Sequence, residues 1–311
     1  MTELHRLVTP TPSEAQASKP VRIYRRPEGD LIREGKLILQ HGENYLDMTE
    51  YRWQREMSLN LTSMCSRGLF DSGPLERWLG DEELPHASPI CHDDLLISPI
   101  LPREVGKILA LGKNFAAHAV EFGEEPPSEP LFFNKLPETI CGHNAIISPP
   151  RGYEGRLDHE VELAVIMGRH AFEVDEDEAL EFVGGYTIAN DLTLRSLQRG
   201  DRDQRQPWFR SKNFRGSCPL GPMFAPASRI NPGSLQITAG VNGKTRQRAN
   251  TADMLLSVPA AIAYLSRHLP LAPGDILLMG TPAGVGGLED GDVVTCAIEG
   301  LGELTTHIRR R

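Results

Sequence analysis

Residues 158–167 read Asp-His-Glu-Val-Glu-Leu-Ala-Val-Ile-Met. The apolar run from Leu163 to Met167 is short enough for a strand, and alternate residues of a strand share a face, so Glu160 and Glu162 project side by side. A solvated strand face gives the same Glu-x-Glu pattern. The apolar continuation argues for a half-buried strand, where paired carboxylates require a counter-charge.

Outward from this segment, further short strands are expected over 107–111, 131–134, 186–189, 235–241, 275–279 and 292–298. Helices are fewer, over 114–122, 175–182, 192–200 and 258–269. Asn242-Gly243 is a hairpin-turn signal between Gln236-Ile237-Thr238 and Thr245-Arg246-Gln247. No β-α alternation runs long enough for a doubly wound sheet or a TIM barrel, so the expected class is β-rich α+β.

Before this region, residues 1–20 are polar and carry Pro10, Pro12 and Pro20, which predicts a loose arm. Residues 21–100 are expected to form a small N-terminal α/β domain, with a hairpin from 21–24 and 36–39 and a helix within 49–65. Ser98-Pro99-Ile100-Leu101-Pro102 suits an extended linker, and 101–311 is then the catalytic domain.

With 40% hydrophobic and 24% charged residues the composition is that of an ordinary globular chain. A formal charge of -9, without a dense Lys/Arg block, argues against a nucleic-acid partner. Five dispersed cysteines without a Cys-x-x-Cys pair argue against a disulfide framework or a zinc knuckle. The N-terminus lacks a secretory apolar stretch, and no run approaches the roughly 18 apolar residues of a membrane span. The expected location is cytoplasmic, with no membrane partner. Two glycine-containing segments are decoys. Gly243-Lys244-Thr245 lacks the upstream glycine of a P-loop, and 280–287 lacks the Gly-x-Gly-x-x-Gly order of a dinucleotide site.

Asn190-Asp191 ends an apolar strand. Asp191 alone reads equally as a helix N-cap, but brought to Glu160 and Glu162 it completes an all-oxygen site suited to a hard cation such as Mg²⁺ or Mn²⁺. On the helix expected next, Arg195 and Gln198 share a face. Arg195 offers a planar fork for a carboxylate and Gln198 both a donor and an acceptor, although an ordinary exposed helix face has the same spacing. Upstream, His118 and Glu121 at i and i+3 can form a hydrogen-bonded pair able to take a proton from water, or simply a surface pair. The polar residues of 118–127 predict a loop that is mobile without ligand.

Five segments together resemble the fumarylacetoacetate hydrolase family: Gly-Lys-Asn-Phe-Ala-Ala-His-Ala-Val-Glu at 112–121, Glu-Val-Glu-Leu-Ala-Val-Ile-Met-Gly at 160–168, Val-Gly-Gly-Tyr-Thr-Ile-Ala-Asn-Asp-Leu-Thr-Leu-Arg at 183–195, Trp-Phe-Arg-Ser-Lys-Asn-Phe at 208–214 and Gly-Thr-Pro-Ala-Gly-Val-Gly at 280–286. The resemblance spans about 105–308, in particular to acylpyruvate hydrolase and oxaloacetate-processing members. It implies a mixed β-sandwich roll, usually a homodimer, with Glu160, Glu162 and Asp191 as ligands of Mg²⁺ or Mn²⁺. It also implies a His118–Glu121 dyad that activates water, Lys212 as the lysine that polarises substrate, and Arg195, Gln198, Thr281 and Lys135 near a small 2-oxo acid. Phe115 stands where tyrosine is usual, and Leu136 where proline often follows the lysine.

The expected activity is hydrolysis of a C–C bond in an acylpyruvate- or fumarylpyruvate-type substrate through a metal-stabilised enolate. Isomerase, tautomerase, decarboxylase or hydratase action on a 2-oxo dicarboxylic acid is the alternative, and a non-catalytic ligand-binding relative is a third.

Overall fold

The computed structural model describes residues 21–28, 31–48, 60–70, 87–91, 93–94, 96–121 and 127–310, without the side chains of 28, 31–34 and 118–120. The arm expected over 1–20, most of the helix over 49–65, the loop residues 122–126 and the side chain of His118 lie outside them.

The strands are β1 (Val21–Glu28), β2 (Leu31–His41), β3 (Asn44–Asp47), β4 (Ile108–Gly112), β5 (Leu131–Lys135), β6 (Ile140–Cys141), β7 (Ala145–Ile147), β8 (Leu157–His159), β9 (Val161–Met167), β10 (Val183–Asn190), β11 (Thr193–Leu194), β12 (Cys218–Pro226), β13 (Gln236–Val241), β14 (Lys244–Asn250), β15 (Ile276–Leu278), β16 (Gly286–Gly287), β17 (Val293–Ile298) and β18 (Gly302–Ile308). The helices are α1 (Leu61–Ser66), α2 (Ala116–Glu121), α3 (Arg195–Asp203), α4 (Phe209–Lys212) and α5 (Val258–His268). A ten-stranded mixed sheet runs β3-β2-β1-β12-β10-β9-β15-β4-β5, with β6 joined to β12. A five-stranded sheet runs β14-β13-β17-β18-β7, and β11-β8-β16 form a short third sheet. The β-rich α+β expectation is met.

β9 explains the layering. It is buried along its whole length. Leu163, Val165 and Met167 enter the larger apolar cluster, which also holds Ile237, Val294 and Leu304 of the five-stranded sheet. Ala164 and Ile166 enter a second cluster with Ile23, Leu39 and Met64. An antiparallel strand covered on both faces loses the polar alternation of a half-solvated one, and its sequence reads as continuous apolar residues. The hairpin β1–β2 forms, and β1 pairs with β12 through Ile23 opposite Phe224, so the N-terminal strands extend the large sheet.

Three elements depart from the sequence expectations. No strand is expected from the sequence at β12, Cys-Pro-Leu-Gly-Pro-Met-Phe-Ala-Pro, whose three prolines disfavour one, yet all nine residues are buried. Its pairing with β10 is irregular between Tyr186 and Ile188, opposite Ala225 and Gly221, and a bulge is where a strand tolerates proline. The helix expected over 175–182 shrinks to one 3-10 turn, Ala179–Phe182, since Asp175-Glu176-Asp177-Glu178 is a run of like charges with no basic partner in sequence. The helix expected from 192 begins at Arg195, because Thr193 and Leu194 pair with Asp158 and Leu157. Asp191 is therefore not an N-cap. No described helix is long and apolar enough to cross a membrane.

Candidate active site

Glu160 lies at the break between β8 and β9, Glu162 on β9 and Asp191 just past β10. Antiparallel pairing sets Asn190 opposite Val161. The Asp191 N–H donates to Glu160 O at 2.8 Å, and the Asn190 side-chain oxygen accepts from Glu160 N–H at 2.9 Å. All three carboxylates are buried, and one oxygen from each lies within 4.8 Å of the others. Burial pushes the Glu162 carboxyl well above the usual carboxylate range, and Asp191 and Glu160 push it further.

Two lysines answer this charge. Lys212, at the end of α4, places Nζ 2.8 Å from Glu160 Oε2 and 2.5 Å from Asp191 Oδ2, and 4.8 Å from the centre of the Phe133 ring. Burial lowers its affinity for a proton, but Asp191 and Glu160 outweigh this, so the ammonium is held charged. Lys135 lies behind Asp191, with Nζ 2.7 Å from Oδ1 and bonded to Lys212 O.

Arg195 is fully engaged within the protein. Its Nε donates to Asp158 Oδ2 at 2.9 Å, one terminal nitrogen to Glu160 Oε1, and the other to Gln198 Oε1 at 2.5 Å. Burial opposes its charge, but Glu160 and Asp158 overcome this and raise its pKa. Because Gln198 Oε1 accepts from Arg195, the Gln198 amide turns its N–H groups elsewhere. Asp158 is held from its other side by Arg156 through a two-point contact of 2.6 and 2.9 Å.

A glycine-rich loop closes the far side. Gly280 has φ +85°, and a Cβ there would lie 2.7 Å from Asn114 Cβ, so the loop takes glycine for both conformation and space. Its N–H donates to Glu162 Oε2 at 2.7 Å. Thr281 follows, 3% exposed, and Gly284 N–H reaches both Glu121 carboxylate oxygens at 3.2 Å.

Glu160, Glu162, Asp191, Arg195, Gln198, Lys212 and Thr281 all line one open cleft of about 640 Å³, solvent at its mouth included. Lys135 supports the cleft from below, and Glu121 lies beside its loop. Sequence reading overlooked Asp158, Asn190 and Asn114. The Asn114 side-chain nitrogen ties Met279 O to Leu256 O. Sequence reading also overlooked Arg199 and Arg202, which follow Arg195 and Gln198 at helical spacing onto the cleft wall. Asn190 was adjacent to a candidate ligand, and the i, i+3, i+4, i+7 spacing of the α3 residues was the available signal.

The profile of the fumarylacetoacetate (FAA) hydrolase C-terminal family matches residues 107–309. The chain belongs to the fumarylacetoacetate hydrolase family. Fumarylacetoacetate hydrolase from Exiguobacterium antarcticum is 29% identical with a TM-score of 0.78, covering 94% of this chain and 100% of that one. Fumarylpyruvate hydrolase from Pseudomonas aeruginosa, solved with Mn²⁺ and pyruvate, is 35% identical with a TM-score of 0.64, covering 67% of this chain and 91% of that one. Oxaloacetate tautomerase YisK of Bacillus subtilis is 36% identical over 67% of this chain and 71% of its own length. The family is enzymatic and its members act on small molecules by different reactions, among them hydrolysis, tautomerisation, isomerisation and decarboxylation.

Proposed function

We propose that the protein hydrolyses a C–C bond in a small 2-oxo acid of acylpyruvate or fumarylpyruvate type. The carrying observation is Glu162. It is buried and crowded by two other carboxylates, yet its hydrogen bond within the protein comes from the Gly280 N–H, with no cationic side chain in contact among the described residues. Three converging carboxylate oxygens form an all-oxygen donor set that fits a hard divalent cation. Glu160, Glu162 and Asp191 would hold Mg²⁺ or Mn²⁺, whose chemistry is to stabilise negative charge on a 2-oxo oxygen.

The protein's own groups supply the rest. Lys212 is held charged beside two of the carboxylates and presents N–H donors to an oxygen gaining charge. Arg195 fixes Glu160 and orients Gln198, whose N–H groups have no acceptor among the described residues and suit a substrate carboxylate. Hydrolysis needs a base, and His118 with Glu121 is assigned that role from spacing and resemblance. Water adds to the distal carbonyl carbon, the C–C bond breaks with its electron pair on the carbon next to the 2-oxo group, and protonation there releases a pyruvate-type product. The homology to fumarylpyruvate hydrolase supports this reading.

Tautomerisation of a 2-oxo dicarboxylic acid is the second reading. It is favoured by Arg199 and Arg202 on the cleft wall, where a second carboxylate would find positive charge, and by the relationship to an oxaloacetate tautomerase. A panel of acylpyruvates, fumarylpyruvate and oxaloacetate with Mg²⁺, followed by ultraviolet absorbance of the enol and by product identification, separates the two. Pyruvate released together with an equimolar carboxylic acid from an acylpyruvate or fumarylpyruvate supports hydrolysis, whereas pyruvate with CO₂ from oxaloacetate is decarboxylation and counts against it. Enol–keto interconversion without bond cleavage overturns it in favour of tautomerisation.

A further inference from the structure

β14 is the edge strand of the five-stranded sheet, with sequence Lys-Thr-Arg-Gln-Arg-Ala-Asn, and Gln247 is its one buried side chain, at 0% exposure. A single polar residue sent inward from an otherwise polar edge strand needs a partner for every hydrogen-bonding group it carries.

Gln247 meets that requirement. Its Oε1 lies 3.2 Å from the Val161 N–H and 3.0 Å from His159 Nδ1. Its Nε2 lies 2.7 Å from Pro282 O and 2.7 Å from Thr281 Oγ1. Val161 N–H can only donate and Pro282 O can only accept, so the amide has one orientation. Two consequences follow. His159 must carry its proton on Nδ1, in keeping with burial that disfavours its charged form. Thr281 Oγ1 must accept from Gln247, which leaves the hydroxyl proton directed away from Gln247, with no protein acceptor recorded for it among the described residues.

We infer that Gln247 is a positioning residue that presents the Thr281 hydroxyl to the substrate as a hydrogen-bond donor. Thr281 lines the same cleft as Glu162 and Lys212. A hydroxyl is ambivalent, able to donate or to accept, and Gln247 removes the ambivalence. With Gln198 and Lys212 similarly turned, the wall becomes one of donors, complementary to carboxylate and enolate oxygens. Gln247 also ties this polarity to Val161, between the two metal-ligand candidates on the β8–β9 segment, so the same amide registers the glycine-rich loop against that segment. The inference rests on the placement of a 2-oxo acid in this cleft.

The test is a double-mutant cycle on the best substrate with kcat and KM measured separately. Gln247→Glu is close to isosteric but, when ionised, has only acceptors. Protonated, as burial favours, it has one donor where Gln247 has two, so Pro282 O and Thr281 Oγ1 compete for it; ionised, it draws the Thr281 hydroxyl proton toward itself. Thr281→Ala and Gln247→Glu should each lower kcat/KM by about 10- to 100-fold, the range for a hydrogen bond to a charged group. Gln247→Glu added to Thr281→Ala should cost nothing more, while Thr281→Ser retains most activity. Equal losses from Gln247→Glu in the wild-type and Thr281→Ala backgrounds would overturn the positioning role, since Gln247 would then act without Thr281. An unaffected Thr281→Ala enzyme would overturn it by removing Thr281 from substrate contact, the distinct failure of the cleft reading itself. If Gln247→Glu does not fold, Gln247→Met enters the same cycle with the same expected non-additivity.

Discussion

Two buried ionic groups in this fold look alike by burial and differ in what surrounds them. Arg25 of β1 meets Glu104 at 3.0 Å, donates to Pro99 O at 3.1 Å, and is matched one to one, with Glu104 also accepting from the Leu101 N–H. Neither residue lines the cleft that holds the three carboxylates. Around Glu160, Glu162 and Asp191, by contrast, carboxylates crowd within 4.8 Å, Lys212 serves two of them, and Glu162 is left with a backbone N–H. A closed pair joins the N-terminal strands to the 99–104 segment. An open, unevenly matched cluster suits the proposed cation. Burial alone separates neither from the other; the distribution of the cations, none of them paired with Glu162, and access do.

The sharpest break of this comparison is at the closed pair. Glu104→Ala leaves Arg25 buried without its partner and should cost about 3–5 kcal/mol of stability by denaturant titration, while kcat of the folded fraction stays at the wild-type value. The combined Arg25→Met, Glu104→Leu protein should recover much of that loss. A fall in kcat without loss of stability would place the pair in the catalytic apparatus.

At the open cluster the expectation is reversed. Lys212→Met should lower kcat by about 10²- to 10³-fold, the range for losing one donor to developing negative charge. Lys212 is itself buried against Glu160 and Asp191, so stability also falls, and the loss of kcat is read on the folded fraction, where Glu104→Ala shows none. Unchanged kcat in this variant would remove Lys212 from the chemistry.

Arg195→Lys keeps the charge but cannot serve Asp158, Glu160 and Gln198 together. Catalytic efficiency should drop about 10- to 100-fold, with loss of one or more charge-assisted hydrogen bonds. Kinetics identical to wild type would show that Arg195 neither fixes Glu160 nor orients Gln198.

The smallest effect is one of pH. The Glu162 carboxyl is raised above its unfolded-state range by burial and by its acidic neighbours. Its contribution to stability is therefore fully present below the unfolded pKa and is lost as pH rises through the folded one. Chelator-treated protein should melt at falling temperature as pH rises above the ordinary carboxylate range. Added Mg²⁺ should offset that fall, so the gap between the two melting curves widens with pH. Glu104, also raised by burial, contributes a slope of the same sign that Mg²⁺ leaves in place. A gap independent of pH would dissociate Glu162 from cation binding.

Local periodicity made much of the fold legible. β9, β10, β13, β17 and α5 announce themselves through apolar runs or alternation, and Asn242-Gly243 marks its hairpin. β12 was hidden because its prolines signal a loop, and only its place between β1 and β10, with a bulge to absorb the irregularity, makes it a strand. At the site, the convergence of Glu160, Glu162 and Asp191 was readable because carboxylates beside apolar runs are anomalous. Gln247 was not, since its neighbours Arg246 and Arg248 are exposed and nothing local shows that this one side chain turns inward across to Thr281 and His159. Long-range contacts between separate sheets leave no periodic trace in either segment.

The central claim is that Glu160, Glu162 and Asp191 together hold one divalent cation. Calorimetric titration of Mn²⁺ into chelator-treated wild type and Glu162→Gln, with circular dichroism to verify the fold of both, tests it directly. A single site is expected in the wild type and none in the folded variant. Equal Mn²⁺ binding by the two proteins would contradict it.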